Sequence, residues 1–384
     1  MQRRNFLRLT AMSSGLLVLG PGFWRSTYGA PARPGAGPYG ALSGAADAQG
    51  LLLPAGFAAR IIARTGEVVP GTRYRWHGCP DGGACFPTGE GGWVYASNSE
   101  LPLLGGASAI RFDGGGRVVD AYRILAGTVA NCAGGATPWG TWLSCEEWDG
   151  GRVWECDPLR PSQGQVRAAL GAFAHEAVAV DPVEQRLYLT EDRPQGRLYR
   201  FTPSAWPSLE AGTLEAALLS GNALEGTARF SWKKVSAKAP AWLQPARFWT
   251  TGFNGGEGCW YDSGTLYFTT KGDNRVWAHT PATGQVEILY DDDGFPDAPL
   301  HGVDNVTVSR AGDLYVAEDG DDLQICLITP EPEYCVSPFL RLEGHAGSEL
   351  TGVAFSPDGQ RLYFSSQRGA NGQGVTFEVR GPFR

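Results

Sequence analysis

Ala177-Val178-Ala179-Val180-Asp181, then a short turn, then Arg186-Leu187-Tyr188-Leu189-Thr190: this stretch decides the fold. Two apolar runs of strand length flank an Asp/Pro turn, the pattern of an antiparallel hairpin. The pattern returns along the chain. It recurs as Gly352-Val353-Ala354-Phe355-Ser356 with Arg361-Leu362-Tyr363-Phe364-Ser365, and as Val306-Thr307-Val308-Ser309 with Asp313-Leu314-Tyr315-Val316-Ala317. It recurs again as Gly258-Cys259-Trp260-Tyr261 with Thr265-Leu266-Tyr267-Phe268-Thr269. Several copies run on into a third strand, such as Gly196–Phe201 and Arg275–His279. A divergent repeat of short antiparallel strands predicts an all-β propeller, with the first strand of each blade at the axis.

Counting repeats predicts a six-bladed β-propeller, with seven blades as the alternative. Phe57–Ala63 supplies the closing strand beside Val375–Val379, which joins the two ends of the chain and leaves no open edge. Residues 204–250, rich in Pro and Trp, read as an insertion on the outer part of the third blade. Ser208–Ser220 within it is the one stretch with helical periodicity.

The first 32 residues read as a leader. Arg3-Arg4-Asn5-Phe6-Leu7 is a twin-arginine pattern, an apolar run centred on Leu16–Leu19 follows, and Ala30-Pro31-Ala32 offers a cleavage site. The apolar run is too short for a membrane span. An ordinary secretory leader with a chance Arg pair is the alternative. Residues 33–52 read as a linker and 53–384 as one propeller domain, periplasmic or secreted.

The composition narrows the partners. The net charge is −8, with Asp+Glu 40 against Lys+Arg 32 and no basic cluster, so neither nucleic acid nor an anionic membrane is expected. Eight cysteines in an exported chain permit disulfides. Cys79 and Cys85 bracket a short loop, and Cys326 and Cys335 flank a Pro-containing turn. Cys145 differs, because Glu146 and Glu147 follow it; it reads as a metal-bound thiolate, with a buried structural thiol as the alternative.

The acids recur in phase with the strands. Glu176, Glu257, Asp304 and Glu349 precede first strands. Glu100, Glu146-Glu147, Glu191-Asp192, Asp273 and Glu318-Asp319 follow second strands. In antiparallel neighbours those two places share one edge, so the acids converge on one face. Carboxylates so gathered repel unless cations sit among them. Oxygen donors suit calcium, and a thiolate suits iron, zinc or copper. No HExxH, GxSxG, P-loop or dinucleotide fingerprint is present. Lys271, Arg193 and Arg368 lie in the same loops, placed to meet an anionic substrate or to pair with the acids.

The motif Asn131-Cys132-Ala133-Gly134-Gly135-Ala136-Thr137-Pro138-Trp139-Gly140-Thr141-Trp142-Leu143-Ser144-Cys145-Glu146-Glu147 resembles the PhoX-type alkaline phosphatases. So do HEAVAVDP…LYLTEDR (175–193), GEGCWYDSGTLYFTTKGDN (256–274), VDNVTV…LYVAEDG (303–320) and ELTGVAFSPDGQRLYFSSQRG (349–369). The resemblance spans the chain from about residue 53. It implies a periplasmic metalloenzyme that hydrolyses small phosphomonoesters, acts as a monomer, is carried out by the twin-arginine machinery, and holds Fe3+ and Ca2+ at the axis. Carried over by motif, the metal ligands would be Glu100, Cys145, Glu191, Glu257 and Asp304, with Glu146 and Glu318 as further candidates. Asn131 would face phosphate, and Lys271 or Arg193 would stand in for an arginine. The family carries that arginine two residues before the Glu matched by Glu257; here the position is Gly255. The rival readings are a calcium-dependent lactonase-type hydrolase and a non-catalytic metal- or ligand-binding propeller.

Overall fold

The computed structural model describes residues 31–384 apart from 321 and 331–333. The leader motif at residues 3–19 therefore lies outside the described residues. Strands dominate. The few helical turns are short 3-10 segments, and no helix among the described residues is long and apolar enough to cross a membrane.

The strands form five sheets, a propeller-like arrangement. Pro80–Pro87, Trp93–Ser99, Gly105–Phe112 and Val118–Thr128 make the first. Asn131–Ala136, Trp142–Glu146, Val153–Cys156 and Gln165–Val166 make the second. Val303–Val308, Leu314–Glu318, Gln324–Thr329 and Cys335–Leu342 make another. The fourth four-strand unit is Leu350–Phe355, Arg361–Ser366 and Val375–Arg380, with Ala58–Arg64 paired antiparallel to its last strand.

The expectation of six separate blades, or seven, is corrected by the remaining sheet. It is continuous and nine-stranded, and runs from His175–Asp181 to Gly256–Asp262. The cause lies in the 204–250 segment. Gly212–Ser220 pairs with Arg229–Lys234, and Arg229 pairs in turn with Gln285, which fuses two four-strand runs into one sheet. The sheet curls so that its two end strands, His175–Asp181 and Gly256–Asp262, lie against each other. The helical expectation for Ser208–Ser220 is also corrected. Gly212–Ser220 is a strand, held by ladders to Leu198–Pro203 on one side and Arg229–Lys234 on the other. Two-sided pairing overrides a weak local preference.

The two ends of residues 33–52, expected as a linker, pair with the strand Cys335–Leu342. Arg33–Pro34 runs parallel to Cys335–Val336, and Leu51–Leu52 pairs with Arg341–Leu342. Apolar cores fill the spaces between successive sheets. One gathers Tyr188, Phe230, Phe253, Phe268 and Trp277; another gathers Tyr315, Phe339, Phe364 and Phe377. Each such ring, fully buried, contributes about 1.5–3 kcal/mol.

All eight cysteines are free. The suggested pairs fail on geometry. Cys335 stands opposite Thr329 in the ladder, whereas Cys326 stands near Pro338. Cys326 Sγ donates to Pro299 O instead, at 3.2 Å. Cys85 lies in strand Pro80–Pro87 opposite Tyr95, while Cys79 precedes that strand.

One feature of the inner strands positions the site. The register slips between Pro80 and Gly83, Asn131 and Gly134, His175 and Val178, Gly256 and Cys259, Val303 and Val306, and Thr351 and Ala354. Each slip is a β-bulge, which re-aims a side chain. The first residues at the bulges are Asp81, Cys132, Glu176, Glu257, Asp304 and Gly352. Hydroxyls and amides hold the bulged carbonyls. Thr190 Oγ1 donates to Glu257 O (2.5 Å), Thr269 Oγ1 to Asp304 O (2.6 Å) and Asn98 Nδ2 to Cys132 O (3.0 Å).

Candidate metal centre

The bulges bring the acids together around the axis. Four triads have donor atoms within 4.8 Å of one another: Asp81, Glu100 and Cys132; Cys132, Glu147 and Glu176; Glu176, Glu257 and Asp304; Asp304, Asp319 and Glu349. The triads share members, so they form one chain of donors. The residues that follow the bulged donors, including Gly82, Ala133, Ala177, Gly258 and Asn305, line a void of about 30 Å³. Small side chains there let the six inner strands approach closely and carry the donors inward.

The electrostatics of the cluster are severe. Burial and then like charge push the carboxyls of Asp81, Glu176 and Asp304 well above the ordinary range; burial does the same to Glu257, against the opposing pull of Lys271. Burial, Asp192 and Glu100 raise Glu147 to about 8, and burial with Asp319 raises Glu349 to about 7. Burial first, then Asp81 and Glu176, raise the Cys132 thiol. Cys132 Sγ lies 3.2 Å from Glu176 Oε1. Gln367 Nε2 donates to Asp81 Oδ2 (2.5 Å) and Glu100 Oε2 (2.7 Å), and Asn305 Nδ2 donates to Asp304 Oδ1 (2.7 Å).

Three cations stand among the acids. Lys271 Nζ is 2.8 Å from Glu257 Oε1 and 3.3 Å from Asp319 Oδ2. Burial disfavours its ammonium, but Glu257 and Asp304 outweigh that and hold its pKa above the ordinary value. Arg193 Nη1 is 3.2 Å from Glu147 Oε1, with Nε 2.9 Å from Asp149 Oδ1. Arg368 Nη1 is 3.2 Å from Glu349 Oε2.

The residues expected from the sequence divide clearly. Glu100, Glu257 and Asp304 stand in the donor chain. Lys271 and Arg193 touch its members. Cys145 does not; it is fully buried in an apolar cluster with Leu143, Val153, Phe173 and Val178. Glu146, Glu191 and Glu318 also stand outside the four triads. Glu146 accepts from Val129 N (2.9 Å) and Arg152 N (3.0 Å). Glu318 accepts from His301 N (2.9 Å) and Gln324 N (3.0 Å). Glu191 accepts from Arg197 N, Tyr199 Oη and Arg247 Nη1. All three tie loops to strand ends through these bonds. Asn131 is engaged within the second sheet: its Oδ1 accepts from Thr128 Oγ1 and its Nδ2 donates to Ser144 Oγ (2.9 Å).

Glu176 and Glu349 stood among the in-phase acids without being assigned as ligands, and three further members of the triads sit one place along from an expected residue. Cys132 follows Asn131, Glu147 follows Glu146, and Asp319 follows Glu318. Side chains alternate along a strand, so a slip of one residue exchanges the two faces. Asp81 had a signal: Asp81-Gly82-Gly83-Ala84 parallels Cys132-Ala133-Gly134-Gly135-Ala136.

The donor set fits metal ions. Buried carboxylates stay ionised only when paired or coordinating, and the present cations are too few to pair with every acid of the chain. Oxygen donors joined by one thiol suit a mixed site of hard and softer metals.

The sequence profile of the family described as Alkaline phosphatase PhoX matches residues 114–152 and 148–287. No curated protein matches the chain. Among solved structures, PhoX of Pseudomonas fluorescens, in complex with vanadate as a transition-state analogue, superposes with a TM-score of 0.73. The two sequences are 16% identical, over 88% of this chain and 97% of that one. A gluconolactonase of Xanthomonas campestris matches at a TM-score of 0.47 and 13% identity, over 92% of this chain and 98% of that one.

Proposed function

We propose, from its likeness to the PhoX profile and to the fold of a PhoX structure, that the chain is an exported, monomeric phosphomonoesterase whose centre is the axial donor chain, charged with iron and calcium. The single observation that carries the reading is the run of four overlapping donor triads with Cys132 common to two of them. Asp81, Glu100, Cys132, Glu147, Glu176, Glu257, Asp304, Asp319 and Glu349 would hold the cations. Cations there supply positive charge to phosphoryl oxygens and make water acidic enough to serve as a nucleophile near neutral pH.

The chain's own residues supply orientation. Lys271, Arg193 and Arg368 are held by acids of the centre, so each ammonium or guanidinium is fixed before substrate arrives. Such preorganised charge aimed at phosphoryl oxygens is worth about 2–4 kcal/mol per contact. Gly255 explains why Lys271 takes the part of the family's arginine. Its φ is +69°, a region that favours glycine, and a Cβ there would lie 3.3 Å from Asp192 Oδ1 and 3.8 Å from Lys271 Cβ. The lysine thus stands beside the vacated position. Asn98 keeps Cys132 in place: its amide donates to Cys132 O and Ala133 O, while its Oδ1 accepts from Trp142 Nε1 and Ser144 Oγ.

The experiment is metal analysis of the exported protein together with hydrolysis of 4-nitrophenyl phosphate, with and without a calcium chelator. Bound iron and chelator-sensitive turnover are expected. Metal without turnover of any phosphoester would sink the reading. Turnover of a lactone that survives Cys132→Ser would replace it with the lactonase reading.

A further inference from the structure

The stretch 204–250 does more than join two strand runs. Its two short 3-10 turns, Ala241–Leu243 and Pro245–Phe248, expose a group of large apolar side chains: Trp242 (57% exposed), Leu243, Phe248 (88%) and Trp249. Apolar side chains gathered in this way on a surface mark contact sites. One member of the group, Trp242, lines a cavity of about 300 Å³ together with Asp149, Phe173, Arg193, Gln195 and Arg247 among others. That volume is at the small end of ligand cavities, about 300–1,000 Å³. It has room for one ring system.

The cavity opens next to the donor chain. Arg193 is the wall between them: its Nη1 contacts Glu147, a member of the chain, and its Nε contacts Asp149 in the cavity lining. The charges of the lining cancel in pairs. Arg193 is bound to Glu147 and Asp149, and Arg247 to Glu191 at 2.8 Å. No cation of the lining is left over for a second anionic group. What remains for a ligand is the indole face of Trp242, with polar edges at Asp149 and Gln195; the Phe173 ring is buried and packed on His175 and Tyr199.

We infer that this cavity receives the leaving group of the phosphoester, an uncharged flat aromatic or heteroaromatic ring that packs on Trp242 while the phosphate lies at the donor chain. This rests on the phosphoesterase reading and adds its substrate class. Aromatic faces stack, and the polar edges suit a ring that carries hydrogen-bonding atoms.

The test compares wild type with Trp242→Ala and Trp242→Phe, metal-loaded, on 4-nitrophenyl phosphate, adenosine 5′-monophosphate, glucose 6-phosphate and glycerol 2-phosphate. Trp242→Ala should lower kcat/KM roughly tenfold for the two aromatic esters, mainly through KM. It should leave glycerol 2-phosphate and glucose 6-phosphate within about twofold, since neither offers a ring face to the indole. Trp242→Phe should recover most of the loss. An equal loss on all four esters, a loss on glucose 6-phosphate as large as on the aromatic ones, or no loss at all overturns the inference. If the wild type turns over no ester, the phosphoesterase reading falls, and binding decides the cavity separately. Calorimetry with phenylphosphonate and methylphosphonate should show the phenyl compound tighter in wild type and the difference gone in Trp242→Ala. Equal affinities in wild type overturn the assignment of the cavity.

Discussion

The Cys132 thiol donates to Glu176 Oε1 across 3.2 Å, and so joins the inner strand of the second sheet to that of the nine-stranded one. A thiol next to two buried acids is raised in pKa by its surroundings and ionises at neutral pH only if a cation takes the charge. Cys132→Ser should therefore remove the softer metal and reduce phosphatase turnover by at least about tenfold. Cys145→Ser should keep metal and turnover and lower stability by about 1–3 kcal/mol, the cost of a hydroxyl without a partner in an apolar cluster. Metal content and denaturant titration of the two variants check this.

Neighbouring acids should behave oppositely. Glu318→Ala strips acceptors from His301 N and Gln324 N and should cost about 1–3 kcal/mol of stability. Its metal content should not change. Asp319→Ala removes a donor and a partner of Lys271, and should weaken metal binding with little loss of stability. Reversed results would mean that the alternation of faces has been misassigned at this strand end.

The metal-free protein should lose stability as pH rises. Glu147 and Glu349 titrate at about 8 and 7 in the fold, against an ordinary glutamate value of 4.5. The native state therefore holds protons that the unfolded chain has released, and stability falls with pH from about 4.5 to about 8. Bound cations take over from those protons and should flatten the dependence. Thermal melts at pH 5, 6, 7 and 8, with and without metal, measure both slopes; a metal-free protein that grows more stable from pH 5 to 8 would contradict the charge balance described.

Restoring the family's arginine should not restore more activity. Gly255→Arg forces a side chain into a left-handed backbone position, at a cost of about 1 kcal/mol. It also brings a second cation beside Lys271. Lys271→Met, by contrast, should raise KM for 4-nitrophenyl phosphate and reduce kcat/KM by about 30-fold or more, the loss of one preorganised contact. Steady-state kinetics of both variants separate the two effects.

Much of this was legible in the chain. The Leu-Tyr hairpin repeat announced short antiparallel strands around an axis, and the recurrence of acids announced one charged face. What escaped were matters of parity and of pairing at a distance. Cys145 was preferred to Cys132 because two acids follow it, and Glu318 to Asp319 because it closes the strand; neither choice could see which side chains the folded strands gather into the triads. The fused nine-stranded sheet escaped for another reason. The bridge from Arg229 to Gln285 joins residues whose proximity no local pattern encodes. The exposed Trp242 was visible as composition but not as part of a cavity wall.

The equivalent bulge seats carry Asp81, Cys132, Glu176, Glu257, Asp304 and Gly352: two acid lengths, a thiol and a bare backbone on one repeated frame. Since the main chain delivers each seat, a donor can be exchanged without refolding its neighbours. The scaffold thus behaves as an interchangeable socket, in which inheritance can retune coordination chemistry one substitution at a time while the architecture stays constant.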